Sequence, residues 1–211
     1  MLIYAAADLH SHNEKFECVQ KNIEKYHPDL LILAGDTTSY FNPSPVISKV
    51  ANFKIPVFMV RGNTDRPYIK KLIDQHDNLT LLDLAKNDFA GVNFVGLNGT
   101  IPIPFHSQIS FTERWTKKIE TQIEKTTVLV AHPPPWGVLD TVFGKFHAGC
   151  SKLFESVKLY QPRLLICGHI HENPGIESIQ KTTVINCSMG KSGAGTLIHL
   201  DNQTIQEIVM I

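Results

Sequence analysis

The sequence lacks most of the features that mark chains working on membranes or on long nucleic acids. Its 20 Lys and Arg residues balance its 20 Asp and Glu residues, so the 211-residue chain carries no formal net charge. Without a basic run it offers few phosphate contacts, and a long nucleic acid is not an expected partner. No apolar stretch approaches the roughly 18 to 20 residues of a membrane span, so we expect no membrane partner either.

Paired cysteines and an export signal are also missing. The four cysteines are far apart and form no Cys-x-x-Cys pair of the kind used by structural zinc sites and redox motifs. Residues 1–7 are apolar, but no basic segment precedes them and Asp8 follows directly, unlike a signal peptide. We therefore expect reduced thiols and a cytoplasmic location.

What is present resembles an ordinary globular chain. Hydrophobic residues make up 43% of the sequence and charged residues 19%, which is typical of a folded domain. No repeat, low-complexity tract or Gly/Ser linker interrupts the chain. Residues 1–211 are therefore predicted to form a single domain.

Short apolar runs alternate with amphipathic stretches, which predicts an α/β fold with a parallel sheet. In the first half, strands are expected at 2–7, 30–33 and 56–60, and helices at 14–26 and 45–53. In the second half, the capping-box spacing of Ser110 and Glu113 predicts a helix that runs towards Glu124. Further strands are expected at 79–82, 92–97, 127–131, 164–167 and 183–187, and a hairpin at 195–200 and 204–209.

Polar residues that can bind metal follow five of the predicted strands. Sites in open α/β sheets form beyond the carboxyl ends of the strands, so the five loops could converge. Glycine directly before three of the polar residues suits a sharp turn or a close backbone approach. The five segments are Asp8-Leu9-His10, Gly35-Asp36, Gly62-Asn63, Ala131-His132 and Gly168-His169-Ile170-His171.

These residues make a mixed nitrogen and oxygen donor set without sulfur. Such a set suits Mn, Fe, Zn, Co or Ni rather than Cu(I). Seven ligands are too many for one tetrahedral zinc and about right for two ions. The Asp36 carboxylate is the natural bridge between them, because it can give one oxygen to each ion.

Taken singly, most of these segments have ordinary explanations. An Asp-x-His segment is often a capping Asp beside a surface His, and Gly-Asp is usually a turn. Gly168-His169-x-His171 is more specific, since alternation places both imidazoles on one side of an extended segment. The five segments in this order, each at a strand end, indicate a metal site.

Asp8-x-His10, Gly35-Asp36, Gly62-Asn63-x-Asp65, His132 and Gly168-His169-x-His171 together resemble the signature of the calcineurin-like metallophosphoesterases. The resemblance extends from residue 8 to residue 171. It implies a four-layer αββα sandwich, in which two facing mixed sheets are flanked by helices and enclose a dinuclear centre. It further implies one ion on Asp8, His10 and His171 and another on Asn63, His132 and His169, with Asp36 between them.

The third motif departs from the family pattern. A His usually follows the Asn and helps to protonate the leaving oxygen, whereas this chain has Thr64. Loss of a general acid typically costs about 10² to 10⁴ in rate, and relatives without this His resemble phosphodiesterases more than monoesterases. Asp65 is expected to orient an imidazole, to cap the segment that begins at Pro67, or to do both.

The residues next to the ligands suggest where a substrate would bind. Asn63 and Thr64 follow one strand, His12 lies two residues beyond His10, and Trp136 lies in a loop where a nucleobase could stack on it. His12 could equally be a solvent-exposed cap. His106 and His147 could line a pocket or lie on loop surfaces.

The sequence thus predicts a metallophosphoesterase, and within that class a phosphodiesterase of small or nucleotide substrates. Two divalent ions, with Mn²⁺ the first expectation, would generate a hydroxide that attacks phosphorus. Asp36, Asn63, His132 and Asp65 are the predicted catalytic residues. The alternatives are a phosphomonoesterase or protein phosphatase, a nuclease, and a metal-binding scaffold without activity. The oligomeric state is left open.

Overall fold

The computed structural model describes residues 1–99, 121–190, 193–201 and 204–211. Within these ranges the chain forms fourteen strands and four helices. In the first half they are β1 Leu2–Ala6, α1 Asn13–Tyr26, β2 Leu30–Ala34, α2 Ser44–Ala51, β3 Val57–Val60, α3 Ile69–Ile73, β4 Leu79–Leu81, β5 Asn87–Phe89 and β6 Val92–Leu97. In the second half they are β7 Val128–Ala131, β8 Thr141–Val142, β9 Phe146–His147, α4 Ser151–Tyr160, β10 Leu164–Cys167, β11 Gly175–Ile179, β12 Thr182–Asn186, β13 Thr196–Asp201 and β14 Thr204–Met210.

Two mixed sheets of six strands each carry the fold. The first has the order β14-β13-β1-β2-β3-β4, and its last four strands run parallel. The second has the order β11-β12-β10-β7-β6-β5, with β12, β10, β7 and β6 parallel. Antiparallel strands join the parallel blocks at β13 in the first sheet and at β11 and β5 in the second. The short strands β8 and β9 pair only with each other.

Alternation of side chains along the strands explains the layers. In β1, Ile3 and Ala5 belong to one buried cluster and Tyr4 to another. The first cluster also contains residues of the second sheet, such as Val130 and Ile166, so it fills the space between the sheets. Tyr4 packs with α1, α2 and α3, while the outer face of the second sheet packs against α4. The resulting αββα sandwich confirms the predicted fold class.

Helix α1 shows why these segments fold locally. Phe16, Val19 and Ile23 recur at helical spacing and are buried, so one stripe of the helix packs on the sheet. The helix ends at His27, which adopts a left-handed conformation (φ 48°) and donates its backbone N–H to the carbonyl of Ile23. None of the helices in the described ranges combines the length and the apolarity that crossing a bilayer requires.

The strands predicted from buried apolar runs are present, and β13 and β14 form the predicted hairpin. Helix α4 and four strands have no counterpart in the prediction, and these strands are β5, the pair β8–β9 and β11. They are short or largely exposed, so they carry little apolar pattern. The predicted helix from Ser110, the Pro-rich segment at 101–105 and His106 lie outside the described residues, apart from the helix's last few positions.

Candidate metal centre

The seven predicted ligands meet at one edge of the sandwich. Each follows the carboxyl end of a strand, and both sheets contribute. Asp8 and His10 follow β1, Asp36 follows β2 and Asn63 follows β3 in the first sheet; His132 follows β7, and His169 and His171 follow β10 in the second.

Asp8, His10 and His171 form one group of potential ligand atoms. Asp8 Oδ1 lies 3.3 Å from His171 Nε2 and 3.9 Å from His10 Nε2. The two imidazole Nε2 atoms are 3.3 Å apart. Two imidazole nitrogens and a carboxylate oxygen therefore lie close enough together to bind one ion.

A second group centres on His132. Its Nε2 lies 3.1 Å from Asn63 Oδ1, 3.2 Å from His169 Nδ1 and 3.5 Å from Asp36 Oδ2. Its Nδ1 lies 2.9 Å from the carbonyl oxygen of Ala34. A carbonyl only accepts, so Nδ1 carries the proton and Nε2 is directed into the centre.

The two groups share carboxylate oxygens. Asp8 belongs to both groups, and in the second it joins Asp36 and His132. Asp36 Oδ2 also lies 3.7 Å from His10 Nε2, so it faces ligands of both groups. The bridging role predicted for Asp36 is compatible with this position. Asp8 could also contribute to both groups.

The donor set fits divalent cations. Asp8 Oδ1 is buried and accepts no hydrogen bond of good geometry within the described residues, although three imidazole nitrogens lie within 4.0 Å of it. A buried carboxylate oxygen left in this way needs a positive partner. Each group also contains two imidazole nitrogens in near contact, from His10 and His171 in one and from His132 and His169 in the other. A cation that both nitrogens bind explains this arrangement better than a hydrogen bond between them.

Burial and the close contact between carboxylates and imidazoles shift the pKa values of the site. Burial disfavours the charged carboxylate of Asp36, but His132 and the Thr64 N–H outweigh this effect and hold its pKa well below the usual range. Burial likewise opposes protonation of His132, yet Asp36 and Asp8 raise its pKa to about 9. Burial and the neighbouring His132 lower the pKa of His169 to about 4. Burial also opposes ionisation of Asp8, but His171 and His132 outweigh this and lower its pKa. The carboxylates of Asp8 and Asp36 are therefore both ionised across the neutral range.

The backbone at the ligands is strained. Asp8, His10, Asp36 and His169 all have positive φ angles, between 49° and 71°. Non-glycine residues rarely adopt this conformation, which costs of order 1 kcal/mol or more each and concentrates at functional sites.

Glycine next to the ligands lets backbone and ligand approach closely, as the sequence predicted. A Cβ at Gly62 would lie 2.2 Å from Asp36 Oδ1, and one at Gly35 would lie 2.4 Å from His132 Nδ1. At Gly168 it would lie 2.4 Å from the Cβ of Ala7. A side chain at any of these positions would push a ligand or its strand aside.

Asp65 supports the loop that carries Asp36. It is buried, and its carboxylate accepts hydrogen bonds from the backbone N–H groups of Gly62 (3.0 Å), Thr37 (3.3 Å) and Thr38 (2.8 Å). Burial raises its pKa, although these bonds oppose the shift. Within the described residues the hydrogen bonds of Asp65 go to these loops, including one from the Thr38 hydroxyl, and none joins it to an imidazole or to the first turn of α3. Its predicted part in catalysis stays a prediction.

Thr64 is bonded within the same loops. Its N–H donates to Asp36 Oδ1 at 2.8 Å, and its hydroxyl donates to the carbonyl oxygen of Thr38 at 2.5 Å. The side chain thus holds two loops together, and its proton is engaged by the backbone.

The two outer substrate candidates lie at the surface. His12 is exposed at the N-cap of α1, where its side chain makes no capping hydrogen bond. Trp136 is 49% exposed. Their proposed contacts with substrate stay predictions.

Lys15 is a supporting residue that the sequence did not reveal. Its ammonium donates to the carbonyl oxygen of Asp8 at 2.5 Å, which helps to hold the strained turn after β1. A cation in the first turn of a helix is disfavoured by the helix dipole. That conflict is the one sequence signal that could have drawn attention to Lys15.

Known proteins share both the sequence pattern and the fold. The family model described as calcineurin-like phosphoesterase matches residues 1–173. The uncharacterized protein MJ1162 of Methanocaldococcus jannaschii is 30% identical over 171 residues, covering 76% of this chain and 77% of that protein.

Three solved structures share the fold at low sequence identity. The protein TT1561 of Thermus thermophilus has a TM-score of 0.76 and 14% identity, with coverage of 99% of this chain and 98% of that one. A dimetal phosphatase from Danio rerio has a TM-score of 0.67 and 12% identity, with coverage of 100% and 98%. A novel archaeal phosphodiesterase has a TM-score of 0.59 and 17% identity, with full coverage of both chains.

The family model thus covers most of the chain and includes every ligand of the two groups. The αββα sandwich and its Asp and His groups at the strand ends agree with it. The chain belongs to the calcineurin-like phosphoesterase family.

Proposed function

We propose that this chain is a metal-dependent phosphodiesterase that hydrolyses a small or nucleotide phosphodiester. The observation that carries the proposal is the convergence of Asp and His ligand groups around shared carboxylate oxygens. Asp8, His10 and His171 would hold one divalent ion, and Asn63, His132 and His169 the other, with Asp36 between them. Mn²⁺ is the first expectation for both ions.

Two divalent ions would supply charge for the phosphate oxygens and lower the pKa of a water molecule towards neutrality. The protein's own contribution is positioning. Ala34 fixes the tautomer of His132, Lys15 holds the turn at Asp8, and Asp65 holds the loop at Asp36. Such supporting contacts typically change metal affinity or activity 10- to 100-fold.

The charge of the loaded site would suit an anionic ester. Two divalent ions against the carboxylates of Asp8 and Asp36 give a local sum of +4 − 2 = +2, in a chain with no net charge. A positive crevice of this kind attracts a phosphate without a basic surface.

Thr64 supports the preference for diesters. Its hydroxyl proton is donated to the carbonyl of Thr38, so it is not available to a leaving oxygen. Substrates that need a strong proton donor at this position should react slowly. Relatives that lack a His at this position resemble phosphodiesterases more than general monoesterases.

A phosphomonoesterase is the second candidate. The structures with this fold include proteins described as a dimetal phosphatase and as a phosphodiesterase, so the fold is compatible with either specificity. A scaffold that binds metal without activity is the third.

The test combines metal analysis with hydrolysis. The purified protein, loaded with Mn²⁺ and desalted, should contain two equivalents by mass spectrometry and should hydrolyse bis-p-nitrophenyl phosphate faster than p-nitrophenyl phosphate. Asp36→Asn should lower the rate at least about 100-fold with an unchanged circular dichroism spectrum. Protein that never binds two equivalents would refute the dinuclear centre. Metal binding without turnover would favour the scaffold.

A further inference from the structure

Exposed aromatic side chains are concentrated in the segments that follow the predicted metal ligands. Among the described residues, every large aromatic that is exposed lies in a segment that follows a ligand-bearing strand end, while the other exposed large apolar residues are aliphatic. Exposed apolar side chains mark a binding surface where they form a contiguous patch. The aromatic residues are Tyr40, Phe41, Tyr68, Trp136, Phe143 and Phe146.

The segment at 136–149, which we call the aromatic hairpin, is organised by one buried carboxylate. Asp140 accepts hydrogen bonds from the N–H groups of Gly137 and Gly149, both at 2.9 Å. Its other oxygen lies 2.7 Å from His147 Nδ1. The imidazole is thereby fixed in one orientation.

His147 in turn contacts Trp136. Their ring centroids are 5.5 Å apart, with 44° between the planes. The backbone of Trp136 is held as well, since its N–H donates to the carbonyl of Cys150 at 3.1 Å. Buried Asp140 thus contacts His147, and His147 contacts the half-exposed indole of Trp136. No hydrogen bond reaches His147 Nε2 from the described parts of the chain, and its side chain is 47% exposed.

The aromatic hairpin is fastened to the loop that carries His169 and His171. The N–H of Phe143 donates to Glu172 Oε2 at 3.0 Å. Trp136 is four residues from His132, so their Cα atoms are at most about 14 Å apart. A nucleotide spans a comparable distance between its phosphate and the far side of its base.

We propose that Trp136 and His147, held by Asp140, form the site that binds the base of a nucleotide substrate. This inference rests on the proposed phosphodiesterase function and specifies its substrate class. Trp136 offers a flat face for stacking, and His147 Nε2 offers a hydrogen bond to an edge of the base. His147 acts on the substrate through this bond and through the orientation of Trp136, and it takes no part in bond breaking.

Fluorescence tests the site independently of turnover. In a Trp115→Phe background, Trp136 is the remaining tryptophan. AMP should quench its emission, and ribose 5-phosphate, which lacks the base, should not. His147→Ala should raise the Kd for AMP several-fold in the same titration. Absence of quenching by AMP would overturn the proposal.

Hydrolysis supplies the second readout. Thymidine 5′-(p-nitrophenyl phosphate) and methyl p-nitrophenyl phosphate share a leaving group and differ in the nucleoside. In the wild type, kcat/KM should be higher for the thymidine diester than for the methyl diester. The ratio of the two values should fall roughly 5- to 150-fold in Trp136→Ala, the range expected for one stacked base. Trp136→Phe should retain most of the ratio. Leu159→Ala, which removes an exposed apolar side chain on α4, should leave it unchanged.

The outcomes separate the two proposals. Quenching by AMP without hydrolysis of either diester would refute the proposed function and leave the base site standing. Equal hydrolysis of both diesters without quenching would refute the base site alone. Binding to phosphatidylglycerol vesicles that Trp136→Ala abolishes, without quenching by AMP, would overturn the base site in favour of a lipid surface.

Discussion

His132 connects the two sheets through a single imidazole. Its Nδ1 donates to the carbonyl of Ala34 in β2, and its Nε2 faces Asn63, Asp36 and His169. Asp36 and Asp8 raise its pKa to about 9 although burial opposes this. In metal-free protein the ring is therefore protonated at neutral pH, and a metal ion must displace that proton.

This competition predicts that metal binding tightens as the pH rises. Between pH 7 and 8.5, below the pKa of His132, affinity for the ion held by His132 should rise about tenfold per pH unit, because one proton leaves. The rise should level off above about pH 9. Mn²⁺ titrations in chelator-buffered solution would measure it, with proton release recorded in parallel. An affinity independent of pH over this range would contradict the coupling.

At Thr64, a histidine should change substrate preference. Thr64→His supplies the missing proton donor and should raise monoester relative to diester hydrolysis by about tenfold or more. It also removes the hydroxyl bond to Thr38, at a cost of about 1 kcal/mol in the free energy of unfolding.

Thr64→Ser is the matched control for that experiment, because it retains the hydroxyl and its bond. The comparison is the ratio of kcat/KM values for p-nitrophenyl phosphate and bis-p-nitrophenyl phosphate. An identical ratio in wild type, Thr64→Ser and Thr64→His would mean that Thr64 does not govern specificity.

Short connections after the strands of the first sheet bring the predicted ligands together. β1, β2 and β3 are parallel neighbours, and all their residues except Leu2 are buried. Their carboxyl ends therefore lie side by side and bring Asp8, Asp36 and Asn63 together. The connections pack against one another without space for extra atoms. At Gly62 a Cβ would meet the side chain and the backbone of Asp36.

Gly62→Ala should therefore damage the site. The added methyl group must displace Asp36, at a cost of about 1 to 3 kcal/mol in the free energy of unfolding, and bound metal should fall below two equivalents. Gly91→Ala is the control, since Gly91 has φ +75° and a Cβ added there would have no atom within 4 Å. It should lose about 1 kcal/mol from backbone strain and bind metal normally. Full metal content in Gly62→Ala would contradict the close approach.

Sequence patterns predicted the buried strands and the polar side chains that converge beyond their ends, whereas the role of these side chains as metal ligands stays a prediction. A continuous apolar run such as β2, Leu30–Ala34, is readable because all five residues are buried. The pair β8–β9 has two residues per strand, and β11 has three exposed residues in its centre, so neither produces a pattern. The contact of Lys15 with the carbonyl of Asp8 depends on the path of the backbone, which no spacing encodes.

In the whole molecule, the predicted ligands come from two separately hydrogen-bonded sheets. The first sheet supplies Asp8 and Asp36, and the second supplies His132 and His171. Bound ions would therefore oppose separation of the sheets as well as local unfolding. Any ligand that binds only the folded state stabilises it by mass action.

Metal removal should lower the melting temperature. An ion present at about 1,000 times its Kd contributes about 4 kcal/mol, which corresponds to a shift of about 8 to 16 °C for a chain of this size. Thermal scans with Mn²⁺ and with EDTA would measure it. Asp36→Asn should respond much less than wild type. Equal melting temperatures with Mn²⁺ and EDTA would show that no ion contributes to stability.

The distance along the chain between the ligands also affects the order of events during synthesis. His10 and His171 face each other although 161 residues separate them, and each ligand group joins Asp8 to a residue at position 132 or later. A growing chain cannot complete either group until most of it has left the ribosome. Metal capture by either group would therefore have to wait for the chain at least as far as His132, and it could not guide the first steps of folding.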